Sequence, residues 1–226
     1  VFRPTFQGDV LTDVTLPDAG FKAYDIRGTV PDQLNAEFAR RLGLALAQRA
    51  RAERISTLVV GYDGRLSSPG LAQGLQEGLM AGGIHTLDLG MVPTPLVYFA
   101  AHTQKTGSGV AITGSHNPPN YNGFKMMMGG KTLHGSDVQA LKNVMGSLPA
   151  SVDMPQGTRQ TLDLVDAYVR RVTSDVKISR PMKIAIDCGN GVAGAVAPQL
   201  FKAMGCEVDE LFCEFDGHFP NHHPDP

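Results

Sequence analysis

No stretch of this 226-residue sequence approaches the ~20 consecutive apolar residues that a membrane-crossing helix needs, so no helical membrane span is expected. The first segment, VFRPTFQGDVLTDVTLPDAGF, has neither a continuous apolar core nor a small-residue cleavage site. It therefore does not read as a secretory signal, and the cytoplasm is the default location. Cysteine is scarce: Cys188, Cys206 and Cys213 are odd in number, fit no zinc spacing and sit in or beside apolar runs. Free, buried thiols in a reducing compartment are expected, with no disulfide framework and no zinc site. An excess of charge of either sign is also missing, since 20 Lys and Arg stand against 22 Asp and Glu for a formal net charge of -2. This excludes an overall basic field for nucleic acid or an acidic membrane. An anionic substrate must be held by local groups.

What is present is the composition of a globular protein, 42% hydrophobic and 19% charged, with 26 Gly and 15 Pro for many tight connections. The length exceeds one typical domain and points to two. Apolar positions at helical spacing predict a helix over 34–52, capped by Asp32. A β-rich run at 57–61 is followed by the turn-like YDGRLSSPG and a helix from Ser67 or Ser68 to about Ala81. A strand at 84–89, a helix at about 95–103 and a buried strand at 107–113 follow. This alternation predicts parallel pairing with helices on both faces. After the irregular GSHNPPNYNG come a strand at 124–128 and a helix at 136–147, then a linker or sheet-edge excursion at 148–160. The alternation then restarts with helix 161–174, strand 182–187, helix 192–204 and strand 206–213. Apart from these two α/β units of similar plan there is no repeat. Two strands are too few for a stable sheet of their own, so the second unit must lean on the first or be completed by another segment.

The richest chemistry lies at Thr113-Gly114-Ser115-His116-Asn117-Pro118-Pro119-Asn120-Tyr121-Asn122-Gly123-Phe124-Lys125. This loop leaves the carboxyl end of a predicted buried strand, where ligands bind in open α/β sheets. Gly114 permits a sharp bend that exposes the Ser115 hydroxyl beside the His116 imidazole and the Asn117 amide, and Lys125 offers a compact positive charge. Such parts suit a serine that carries phosphate, because phosphoryl transfer asks the protein for positioning and charge neutralisation. An ordinary surface loop remains the plain alternative. Acyl transfer is disfavoured, since Gly-Ser-His lacks the Gly-x-Ser-x-Gly elbow.

The same loop, T-G-S-H-N-P-P-x-Y-N-G-F-K, resembles the phosphoserine loop of the α-D-phosphohexomutase superfamily and, within it, the bacterial phosphomannomutase/phosphoglucomutase branch. K-A-Y-D-I-R-G at 22–28, G-Y-D-G-R-L-S-S-P at 61–69, D-C-G-N-G-V-A-G at 187–194 and D-G-x-F-P-N-H-H-P-D-P at 216–226 are similar to further family segments in the same order. The resemblance implies an α/β fold with mixed, mostly parallel sheets sandwiched by helices. It implies a lead-in at 1–20, domain 1 over 21–152 and part of domain 2 over 153–226. Ser115 is then the phosphorylated serine, with His116 and Asn117 beside its phosphate. Arg27 and Lys125 move or steady the sugar hydroxyl proton, and Tyr24 contacts the sugar phosphate. Arg65 is a substrate-binding candidate whose turn equally suits support of the phosphoserine loop or a structural arginine tied to Asp63. The implied reaction interconverts hexose 1-phosphate and hexose 6-phosphate through a hexose 1,6-bisphosphate, with Mg²⁺ bound through the Ser115 phosphate. The family's Asp-Gly-Asp-Gly-Asp-Arg metal loop and its later sugar- and phosphate-reading loops do not occur here. The resemblance therefore implies further C-terminal domains as partners and little activity for these residues alone.

Two rivals compete. Gly189-x-Gly191-x-x-Gly194 follows a predicted strand and opens a predicted helix, the spacing of a dinucleotide-binding oxidoreductase. A non-catalytic fragment is the other. His218, His222, His223 and Asp225 could hold a metal, but read more simply as a Pro-locked polar loop. Met126, Met127 and Met128 read as packing on a strand.

Overall fold

The computed structural model describes residues 20–148 and 154–223. The expected lead-in and the first part of the linker lie outside the described residues. The main sheet contains β1 (Ile26–Thr29), β2 (Thr57–Tyr62), β3 (His85–Met91), β4 (Gly109–Ile112), β5 (Tyr121–Met128), β6 (Lys131–Thr132) and β7 (Arg159–Thr161). Its order is β1-β5-β4-β2-β3-β7, with β6 beside β5. The run β4-β2-β3-β7 is parallel, and β5 is antiparallel to both β4 and β1. The reason lies in the connections. Helices return the chain to the same end between the parallel strands, whereas β4 and β5 are joined only by residues 113–120. The second sheet has two parallel strands, β8 (Lys183–Asp187) and β9 (Glu207–Leu211). The fold is thus mixed α/β, as expected.

The helices are α1 (Ala36–Ala52), α2 (Ser68–Ala81), α3 (Thr94–Thr103), α4 (Ser136–Gly146), α5 (Val165–Asp175) and α6 (Ala197–Ala203). Strand alternation divides the core. Leu58, Val60, Val110, Phe124 and Met126 face α1, α2 and α4, burying Phe38, Leu42, Leu75 and Leu141. Val59, Leu89 and Ala111 face α3, burying Leu96, Val97 and Ala100. Each central strand therefore buries both faces, which is why TLVVG reads as a continuous apolar run.

Several local expectations change. The cap of α1 is Asn35, whose side-chain oxygen accepts from Phe38 N at 2.9 Å; Asp32 lies outside the helix. Tyr121–Gly123, in a stretch too rich in Gly, Pro and Asn for regular structure to be expected, begins β5 because their backbones pair with β1. β1 itself was hidden in the Tyr-Asp-Ile-Arg-Gly motif. β7 is the sheet-edge excursion, anchored through the Arg159–Asp88 ion pair, and the next helix starts at Val165. The expected helix at 192–204 divides into a 3₁₀ turn at Val192–Ala195 and the short α6.

α1 and α2 approach at backbone distance. A Cβ on Gly78 would lie 2.0 Å from Arg40 O, and one on Gly74 would lie 2.3 Å from Ala36 O. Gly78→Ala is expected to destabilise the chain by roughly 1–3 kcal/mol because the helices must separate. Gly70→Ala in the same helix meets nothing within 4 Å. It should stabilise by about 0.4–1 kcal/mol through the unfolded chain. Urea unfolding of both variants checks this; equal effects would remove the backbone contact as the cause.

Candidate active site

The 113–120 loop rises from the carboxyl edge of β4, and Ser115 sits at its bend with φ +55°. That left-handed conformation is uncommon for a non-glycine residue. It is held locally: Ser115 N donates to Thr113 Oγ1 at 2.9 Å, while Asn117 donates to Gly114 O through its backbone N at 3.1 Å and its Nδ2 at 2.8 Å. Ser115 is exposed, and its Oγ lies 3.4 Å from His116 Nδ1.

A single arginine fixes this bend from below. Arg65, 1% exposed, donates through Nη2 to Ser115 O at 2.9 Å and Asn117 O at 2.7 Å. Its Nη1 donates to Pro118 O at 2.5 Å and Tyr121 O at 3.0 Å. A Cβ on Gly114 would fall 2.2 Å from Arg65 Nε, so only glycine lets the loop lie across the guanidinium. Asp63 completes the support. Its carboxylate lies 3.3 Å from Arg65 Nε, and it accepts from Gly114 N at 3.1 Å and from Ser68 Oγ at 2.5 Å. Asn122 Nδ2 then donates to Ser67 and Ser68 Oγ at 2.8 and 2.9 Å. Burial pushes the Arg65 guanidinium below its usual range; the Asp63 charge opposes this, and the Arg27 charge adds to it.

Ser115, Thr113 and Asp63 line a cavity of about 340 Å³ together with Asp187, Cys188 and His222 of the second unit. Phe219, at φ +51°, brings the 212–223 segment of that unit onto Arg65, with its ring centroid 5.5 Å from the guanidinium carbon. His222 bridges Asp187 (Nε2 to Oδ1, 3.0 Å) and its neighbour's carbonyl (Nδ1 to His223 O, 2.9 Å). Both partners are acceptors, so the arrangement favours the imidazolium. Its pKa is raised, first by the His223 carbonyl and then by Asp187, while the hydrogen bond from His222 holds Asp187 below the usual carboxylate range.

The other expected residues are distributed around this centre. Tyr24, 63% exposed, and Arg27 line a separate cavity of about 310 Å³. Arg27 Nη2 donates to Asp25 Oδ2 at 2.7 Å. Arg27 stands opposite Gly123 in the β1–β5 ladder. It therefore shares a sheet face with Lys125, two residues along β5. Lys125 stands opposite Ala111 and has no ion pair among the described residues. Arg65 directs four hydrogen bonds at carbonyls of residues 115–121, which is the loop-supporting one of its expected roles. The Asn117 side chain bonds Gly114 O, so it too holds the bend. Ser68, Asn122, Asp187 and Phe219 escaped the sequence reading as site residues, although all four lie in motifs it singled out.

A family model described as phosphoglucomutase/phosphomannomutase α/β/α domain I matches residues 18–148, and the domain II model matches 165–226. The chain belongs to this family. It is 47% identical over 214 residues to a phosphomannomutase/phosphoglucomutase of Pseudomonas aeruginosa, covering 94% of this chain and 45% of that one. It is 51% identical over 206 residues to a phosphoglucomutase of Neisseria gonorrhoeae, covering 91% and 45%. A crystal structure of a phosphoglucomutase/phosphomannomutase family protein from Burkholderia thailandensis superposes with a TM-score of 0.87 at 45% identity, covering 93% of this chain and 47% of that chain. The chain thus spans about half the length of the curated relatives it matches.

Within this member of the family the Gly189–Gly194 motif has structural uses. A Cβ on Gly189 would lie 2.8 Å from His222 Cε1, and one on Gly194 would lie 1.8 Å from Cys213 O. The glycines thus seat the 212–223 segment, and the α-helix starts only at Ala197. No group of three His, Cys, Asp or Glu residues fit to hold a metal occurs among the described residues, and Asp225 lies outside them. The carboxylates that line the cavity are committed, Asp63 to the Arg65 support and Asp187 to His222. These donors therefore do not make a magnesium site by themselves, because this ion requires near-octahedral oxygen ligation. No described helix is long and apolar enough to cross a membrane.

Arg65→Lys is expected to lower stability by roughly 1–3 kcal/mol, since one ammonium cannot reach four carbonyls at once and leaves several of these hydrogen bonds unmade. Urea unfolding reads this, and an unchanged midpoint would mean the clamp does not hold the loop. The His222–Asp187 bridge should depend on pH from both sides. His222 has its pKa raised above 6.5, so its contribution is complete below 6.5 and fades as pH rises through the folded value. Asp187 has its pKa lowered below 3.8, so its contribution is present above 3.8 and fades as pH falls through the folded value. The stability difference between the native chain and His222→Gln should be largest near pH 5, and an NMR titration should place the His222 midpoint above 6.5.

Proposed function

We propose that this chain is the phosphoryl-carrying part of a phosphohexomutase, with Ser115 as the carrier. One observation supports the reading above the others: an exposed serine hydroxyl at a left-handed bend, fixed by a buried arginine at the wall of a cavity shared by two units. In this reading phospho-Ser115 passes its phosphoryl group to the 6- or 1-hydroxyl of a hexose monophosphate. The serine P–O bond breaks as the sugar O–P bond forms, and the hydroxyl proton leaves to a protein base or to water. The resulting hexose 1,6-bisphosphate turns over and returns its other phosphoryl group to Ser115. His116 accompanies the phosphate. Arg27 and Lys125, on one sheet face, steady the developing sugar alkoxide, and Tyr24 at the neighbouring cavity meets the sugar phosphate.

Arg65 and Asp63 contribute rigidity to this scheme. In-line displacement tolerates little misplacement of the donor oxygen, and the clamp holds the Ser115 backbone before substrate arrives. Magnesium, expected from the family resemblance, needs carboxylates beyond those this chain brings to the cavity, and no step is assigned to it. The remaining length of the matched relatives is the proposed source of those ligands and of the groups that read the sugar. A division into domain 1 at 21–152 and domain 2 from 153, and a cytoplasmic location, belong to the same reading.

In the full-length context Ser115→Ala should lower turnover at least about a thousandfold. Its unfolding midpoint should stay within about 0.5 kcal/mol, because an exposed hydroxyl packs against little. Near-normal turnover would dismiss Ser115 as the carrier. Peptide mapping across 107–125 provides the complementary test: phosphate on Ser115 supports the carrier, and an unmodified serine after exposure to a hexose 1,6-bisphosphate favours a non-catalytic fragment.

A further inference from the structure

Two of the three cysteines are not the isolated, buried thiols the sequence predicts. Cys206 is buried, but Cys188 and Cys213 are half-buried, with their sulfurs 3.3 Å apart. They come together because β8 and β9 are parallel neighbours whose ladder continues past their carboxyl ends. Cys188 N donates to Leu211 O at 3.0 Å, and Asn190 N donates to Phe212 O at 2.8 Å. From the other side Asn190 Nδ2 donates to Glu214 O at 2.9 Å, and Gly194 makes room for the backbone of Cys213. The pair is thus clamped by backbone contacts on both flanks. A disulfide requires the sulfurs to close to about 2.05 Å, an approach of about 1.2 Å from here. Cys188 also lines the cavity that contains Ser115, so a small oxidant reaches it from solvent.

We propose that Cys188 and Cys213 form an oxidation site that closes to a disulfide in the presence of a peroxide-class oxidant. One sulfur, as thiolate, attacks a peroxide oxygen. The O–O bond breaks, one water leaves, and a sulfenic acid remains. The second sulfur attacks the first, the S–S bond forms as the S–O bond breaks, and hydroxide leaves with the second thiol proton as another water. Two thiols and one hydrogen peroxide give one disulfide and two waters; sulfur is oxidised and the peroxide oxygens are reduced. Cys188 is held as the thiol, its pKa pushed up to about 12 chiefly by burial and then by the bond from Cys213. The disulfide ties the turn after β8 to the segment after β9 and fixes the second unit's share of the cavity wall. The site requires no sugar, metal or phosphoserine, so it stands or falls apart from the mutase reading.

The test treats the native chain with hydrogen peroxide near neutral pH and maps its peptides without reduction. The expected result is a Cys188–Cys213 cross-linked peptide lighter by two hydrogens. The free thiols should fall from three to one, and dithiothreitol should restore them. Cys188→Ser and Cys213→Ser should each abolish the cross-link. Persistence of three free thiols, oxidation of either cysteine to sulfinic acid without a cross-link, or cross-links through Cys206 or between chains would each overturn the proposal. The wild-type map decides even if a variant fails to fold.

Discussion

The buried guanidinium of Arg65 is the interaction on which the rest of the site depends. A cation inside a protein is costly unless it is paired and hydrogen-bonded. Here the cost is met by Asp63 and by four carbonyl oxygens of residues 115–121. Three of those carbonyls lie in the 113–120 loop, which has two prolines and no regular secondary structure, and the fourth is that of Tyr121 at the start of β5. Arginine and loop thus solve each other's problem. The consequence is that Ser115 keeps a left-handed backbone that it would rarely hold alone.

Mixed topology brings the clamp and its loop together. Parallel strands β4 and β2 end at the same edge, so the turn after β2, with Asp63 and Arg65, lies directly beside the loop after β4. The antiparallel return of β5 delivers Asn122 to Ser67 and Ser68, closing the support on its far side. The second unit then reaches across this edge. Phe219 stacks on the same guanidinium, so the placement of that unit is felt at the arginine that positions Ser115.

Much of this was legible in the chain. Fully buried strands announce themselves as apolar runs, and α1 and α2 carry helical periodicity, so the βα alternation of the first unit could be read directly. The Thr113–Lys125 segment stood out because its residue types suit phosphate and because it resembles a phosphoserine loop, although residue types alone also fit an ordinary surface loop. Less legible were elements fixed by partners far away in sequence. β1 and Tyr121–Gly123 are strands only because they pair with each other, and β7 is a strand only because β3 offers it an edge. The helix expected at 192–204 divides where the glycine turn is packed against the backbone of residue 213.

The sequence by itself determined the class of fold, the position of the serine and the absence of any global field for polyanions, since these follow from local pattern and composition. Tertiary structure alone decided the roles of individual polar groups. Arg65 and Asn117 carry donors that suit a phosphate, and only the fold turns those donors onto loop carbonyls. Asp187 and His222 are separated by 35 residues, and Cys188 and Cys213 by 25, yet each pair meets at the end of one small sheet. Pairing of that kind depends on strand register and loop closure, which no local sequence pattern encodes.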